Sequence, residues 1–168
     1  MRLWKTIGTD LAPLEIVHRG FGGSRMADVL QMMDFFARYQ CGTVLVYEGD
    51  NDLMDAKLSP EDYASQCEAF IRGIRSARPD AKIYFISTKP SPAREPFLTR
   101  YAKANELVKK LCGSGENLAF IDVFTPMLGS DGKPRRELFG PDAPHLNDQG
   151  YALWSKVVRS HLLPKASE

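Results

Sequence analysis

Asp142 and His145 stand three residues apart in Pro141-Asp142-Ala143-Pro144-His145-Leu146-Asn147, a loop stiffened by two prolines. A carboxylate that close can bond one imidazole nitrogen, fix the tautomer, and leave the other nitrogen to take a proton from a hydroxyl nucleophile. Such a pair serves acyl transfer only with a nucleophile and with donors for the oxyanion of the tetrahedral intermediate. Two other polar clusters stand out, Arg19-Gly20-Phe21-Gly22-Gly23-Ser24 and Gly49-Asp50-Asn51-Asp52. Each of the three also has a plain structural reading: close packing at a glycine-rich turn, an Asx turn that caps the next segment, and a local carboxylate to imidazole bond. The first is no phosphate loop, because Gly-Lys-Ser/Thr and the G-x-G-x-x-G spacing are both absent.

The elements around these clusters alternate between two hydrophobic periods. Leu14-Glu15-Ile16-Val17 is short and partly β-branched, as a strand would be, and Ser24 can cap a helix with apolar positions Met26, Val29, Leu30, Met33 and Phe36. Thr43 to Tyr47 is apolar without alternation, the pattern of a parallel strand covered on both faces. Ser59-Pro60-Glu61-Asp62 joins an N-cap, a first-turn proline and first-turn acids, so a helix with the stripe Tyr63, Cys67, Phe70, Ile71 and Ile74 follows, ended by Pro79. Lys82 to Ile86 and Leu118 to Val123 read as strands, Phe97 to Leu111 as a helix, and a last helix begins near Asp148. The sum is an open α/β sheet with parallel crossovers, in which ligands bind at the carboxyl ends of strands. All three polar clusters follow strands, and that joint placement favours a shared site.

A length of 168 residues, 43% of them hydrophobic, fits a single domain over residues 1–168. The 22 basic and 21 acidic residues leave a net charge of +1, with no global field for nucleic acid or an anionic membrane. Cys41, Cys67 and Cys112 are widely spaced and odd in number, which argues against a disulfide framework or zinc site. No apolar run reaches the ~20 residues of a membrane span, and Met1-Arg2-Leu3-Trp4 does not begin a signal peptide. The chain reads as soluble and cytoplasmic by default, with the compartment left open should an upstream segment carry a signal.

His18-Arg19-Gly20-Phe21-Gly22-Gly23-Ser24, Gly49-Asp50-Asn51-Asp52 and Asp142-Ala143-Pro144-His145 resemble the second, third and fifth sequence blocks of the SGNH (GDSL-type) hydrolase family, in order and over nearly the whole chain. The resemblance implies a flavodoxin-like three-layer α/β/α fold with a parallel sheet. It also implies hydrolysis of small-molecule esters, commonly short acyl or acetyl esters, lipids or decorated sugars, without a metal or other cofactor. By the same resemblance His145 is general base and then general acid, Asp142 orients it, and Gly23 (backbone N–H) and Asn51 (side-chain amide) are the oxyanion donors. Glycine at 23 then avoids crowding the acyl group, and Asp52 braces the turn.

One family feature is missing from residues 1–168. The first block, an apolar strand ending in Gly-Asp-Ser or Gly-Ser-Ser, belongs just before the segment that resembles Met1 to Trp4, so the nucleophilic serine has no counterpart. Ser24 lies in the oxyanion block, and nothing places Ser87 or Ser91 against His145. The expectation is a chain that starts at an internal methionine and lacks the central strand, rather than a natural short form. It would be inactive as it stands and would compensate by dimerising through exposed strand edges. A catalytically dead ligand-binding domain is one alternative. A metal-dependent phosphoesterase is another, weakened by a total of three histidines, His18, His145 and His161.

Overall fold

Ser59 and Pro60 open the longest helix among the described residues, and the computed structural model, which describes residues 1–163, shows how. The Ser59 hydroxyl accepts the Asp62 N–H at 3.0 Å while the Asp62 carboxylate accepts the Ser59 N–H at 3.0 Å. This reciprocal cap satisfies two donors that a helix start leaves open. The helix, α4 (Pro60–Ala77), buries Tyr63, Cys67, Phe70 and Ile74, one stripe at helical spacing. The chain also forms α2 (Met26–Gln31), α3 (Met33–Phe36), β1 (Thr43–Val46), β2 (Lys82–Ile86), α5 (Leu98–Cys112) and β3 (Leu118–Ile121).

The three strands form one parallel sheet in the order β1-β2-β3. β1 pairs with β2 in a register that sets Thr43 opposite Lys82 and Val46 opposite Phe85. The Ile83 N–H donates to the Asn117 carbonyl at 2.9 Å, at the start of β3. With helices packed along it, the protein has the α/β fold that the alternating periods predict.

Contacts divide the chain into two compact units, one of residues 23–89 and 96–120, the other of 1–22, 90–95 and 121 onward. In the first, α5 packs along α4, and α2 and α3 lie against α4 as well. Its core includes Met26, Leu53, Tyr63, Phe70, Ile83, Phe85 and Tyr101. Cys67 and Cys112 are buried free thiols, and burial pushes the Cys112 thiol up to about 12, which leaves it unreactive.

In the second unit, α1 (Ile7–Asp10) packs on α6 (Asp148–Leu162). Trp4 stacks on Tyr151 at 5.5 Å between ring centroids and meets Trp154 edge-on at 6.1 Å. Arg159 donates to the carbonyls of Asp10 and Ala12, both at 2.8 Å, and ties α6 to the turn that ends α1.

Two local expectations are corrected. Leu14 to Val17 is not a strand; it is irregular and Val17 is exposed, because β propensity forms a ladder only where a partner strand is in reach. Ser24 does not cap α2 either. Arg25 is the N-cap, its N–H held by the Asp28 carboxylate at 2.9 Å.

Candidate functional site

The loop of Asp142 and His145 is shaped by its two ends. Phe139 and Leu146 form an antiparallel bridge, the Gly140 N–H donates to the His145 carbonyl at 2.8 Å, and the Ala143 N–H to the Gly140 carbonyl at 3.0 Å. The reversal puts Ala143 in the left-handed region at φ 67°. Asn147 anchors the C-terminal end. Its amide donates to the carbonyls of Glu137 at 2.8 Å and Phe139 at 3.2 Å, and its oxygen accepts the Gly150 N–H at 3.1 Å as the cap of α6. Residue 150 must be glycine, since a Cβ there would stand 2.3 Å from the Leu138 carbonyl oxygen.

On this frame the Asp142 carboxylate bonds Nδ1 of His145 and also accepts the His145 backbone N–H at 3.3 Å. The imidazole holds the carboxyl below the usual carboxylate range. Both side chains are about half exposed, 55% for Asp142 and 54% for His145, and Nε2 has no hydrogen-bond partner among the described residues. An imidazole held by one nitrogen with the other accessible can move a proton.

Gly23 and Asn51 lie in the other unit, next to one another through Ser24. Gly23 has φ +74°, and nothing lies within 4 Å of the position a Cβ would take, so backbone conformation rather than space calls for glycine. Asn51 Nδ2 donates to the Ser24 carbonyl at 2.9 Å, which fixes the plane of the peptide between Ser24 and Arg25. Asp52 is buried and accepts two backbone donors, the Met26 N–H at 2.7 Å and the Gly49 N–H at 3.2 Å. Burial raises its pKa, an effect these two bonds oppose. A carboxylate 26 residues downstream thus does at the start of α2 what Ser24 was expected to do.

The Ser24 hydroxyl instead donates to Glu48 Oε1 at 2.8 Å. Desolvation pushes the Glu48 carboxyl up to about 7, with the Ser24 bond acting against it and the nearby Asp52 and Asp50 adding to it. The Gly49 that follows has φ +106°, and a Cβ there would fall 2.3 Å from the Thr88 hydroxyl. Beyond it, the Lys89 ammonium forms a buried ion pair with Asp50 and donates to the Tyr47 hydroxyl at 3.0 Å, while the Tyr101 hydroxyl donates to the Asp50 carbonyl at 2.8 Å. Thr88 is locked by Asn105 through its N–H at 2.8 Å and its carbonyl at 3.0 Å. The partners of Glu48 and Lys89 depend on packing across 24 and 39 residues and leave no local pattern in the sequence.

The other serines raised by the sequence are both buried, Ser87 and Ser91, and Ser91 Oγ has no hydrogen-bond partner among the described residues. His18 Nε2 lies 3.0 Å from the Met1 carbonyl oxygen and His161 Nδ1 2.9 Å from that of Val157. Among the described residues no three His, Cys, Asp or Glu side chains group as metal ligands, and no helix is long and apolar enough to cross a membrane.

The family model described as GDSL-like Lipase/Acylhydrolase matches residues 2–153. No curated protein matches the sequence. Among solved structures, a Streptococcus pneumonia protein provisionally described as a platelet activating factor superposes with a TM-score of 0.82 at 21% identity, over 96% of this chain and 78% of that one. A GDSL-like lipase from Bacteroides thetaiotaomicron gives 0.70 at 15% identity, over 85% and 73%. A family 3 carbohydrate esterase from Clostridium thermocellum gives 0.66 at 18% identity, over 85% and 67%.

Proposed function

From the premise that the chain belongs to the GDSL-like lipase/acylhydrolase family, a family of hydrolases acting on ester bonds, we propose that its site is built for acyl transfer from short acyl or acetyl esters. His145 is the base that activates a hydroxyl nucleophile and the acid that protonates the leaving alkoxide, and Asp142 orients it. The Gly23 N–H and the Asn51 amide receive the oxyanion, preorganised donors of which each is worth ~3 kcal/mol of barrier. The nucleophile is not among residues 1–168. The observation that carries this reading is the Asp142 to His145 bond, which leaves Nε2 as the working nitrogen.

Residues 1–168 are therefore expected not to turn over p-nitrophenyl acetate or to take up a serine-directed organophosphonate. A chain in which an apolar strand ending in Gly-x-Ser precedes Met1 is expected to do both, and His145→Ala in that chain to abolish hydrolysis with the fold intact by circular dichroism. Phosphonylation of Ser24, Ser87 or Ser91 in residues 1–168, mapped by mass spectrometry, would place the nucleophile inside the chain and overturn the assignment. Inertness of the extended chain together with saturable acetate binding would favour a ligand-binding domain. Hydrolysis lost to a chelator and restored by Mn²⁺ would favour a metal-dependent phosphoesterase.

A further inference from the structure

Two residues past the end of β1, Glu48 turns its carboxyl onto a single side-chain hydroxyl, that of Ser24, at 2.8 Å. Ser24 is 7% exposed, and its own carbonyl is the acceptor for Asn51 Nδ2 at 2.9 Å. The backbone of Glu48 is fixed as well, its carbonyl accepting the Thr88 hydroxyl at 3.2 Å. The series Glu48, Ser24, Asn51 thus runs through the residue that directly follows Gly23. Ser24 serves neither as the cap of α2, which Asp28 and Asp52 supply, nor as a hydroxyl turned to water. A carboxyl taken out of water loses hydration that one hydroxyl only partly replaces, so this pair contributes little to stability and its main physical effect is to fix geometry.

We propose that Glu48 is a positioning residue of the oxyanion site: by holding the Ser24 hydroxyl it fixes the residue next to Gly23, and so the backbone on the C-terminal side of the Gly23 N–H, and, through the Ser24 carbonyl, the plane of the Asn51 amide. The proposal rests on Gly23 and Asn51 being the oxyanion donors. It adds a residue that touches neither substrate nor reacting atoms. The chemistry asked of Glu48 is acceptance of a hydrogen bond from a hydroxyl, so glutamine, which keeps an acceptor oxygen at that position, can replace it, and alanine cannot.

The test is nuclear magnetic resonance of ¹⁵N-labelled residues 1–168 without substrate, with the Asn51 side-chain amide identified by its loss in Asn51→Ala. Glu48→Ala and Ser24→Ala are each expected to shift the Asn51 amide and Gly23 N–H resonances and to speed their hydrogen exchange roughly tenfold, about what loss of one hydrogen bond allows. The double variant is expected to go no further than either single one, and Glu48→Gln to leave both resonances near their parent positions. Resonances unmoved by Glu48→Ala, or moved as far by Glu48→Gln, would overturn the proposal. Ser24→Ala removes only an oxygen and reads the same bond from its other end if Glu48→Ala fails to fold. In the extended chain, Glu48→Ala is expected to lower kcat about as much as Asn51→Ala with KM unchanged; an inactive extended parent would instead count against the oxyanion assignment itself, with the resonance result intact.

Discussion

Asn51 is the residue on which the proposed chemistry is most sharply testable. Its amide is aligned by the Ser24 carbonyl, and an oxyanion exists mainly in the transition state, so its loss should fall on turnover rather than on binding. In the extended chain, Asn51→Ala is expected to lower kcat by ~100-fold with KM nearly unchanged, measured by steady-state hydrolysis of p-nitrophenyl acetate. Equal losses in kcat and 1/KM would make Asn51 a ground-state contact. The bond between Asp142 and His145 was legible from the spacing of the two residues, because it closes within four positions of one loop. Glu48 and Lys89 left no such pattern, since what matters about each is a partner that the tertiary fold brings to it.

The elements divide in the same way. The start of α4 could be read from Ser59, Pro60 and Asp62 because its cap closes within four residues. The start of α2 could not, because its strongest backbone acceptor is Asp52, and Leu14 to Val17 lost its expected strand for want of a neighbour. Asp52 joins α2 to the turn after β1 by accepting the Met26 and Gly49 N–H groups in a buried setting. Asp52→Ala leaves both donors unpaired and is expected to cost about 3 kcal/mol, seen as a lower urea midpoint. Asp52→Asn, which keeps one acceptor oxygen, is expected to cost about half of that.

At the scale of the whole molecule, a net charge of +1 leaves little general repulsion, so the pH dependence of stability falls to a few shifted groups. Hydrogen bonds lower Asp55, Asp62, Asp142 and Glu137, so their stabilisation is present above the ordinary carboxyl values and is lost as pH falls through the lowered ones. Burial raises Glu48 from 4.5 to about 7, so the folded protein holds its proton more tightly; that contribution is present below pH 4.5 and is lost as pH rises through about 7, and Asp52, also raised by burial, acts in the same direction from its ordinary value of 3.8 upward. Stability is therefore expected to peak near pH 4.5 and to decline toward pH 7.5, by at most about 3 kcal/mol from Glu48. Melting temperatures of the parent and Glu48→Gln across that range check this: the variant is expected to lose most of the decline, and an unchanged decline would trace it elsewhere.

The neighbours Asn51 and Asp52 grip the other loop from both sides of Arg25, one donating to the Ser24 carbonyl and the other accepting from the Met26 N–H. Two loops cross-braced in this way give up their conformational freedom when the chain folds, and little remains to be lost when a substrate arrives. With Gly23 and Asn51 in the proposed role of oxyanion donors, a ligand would meet donors already at rest, and the entropy of ordering them is a term of folding rather than of each turnover.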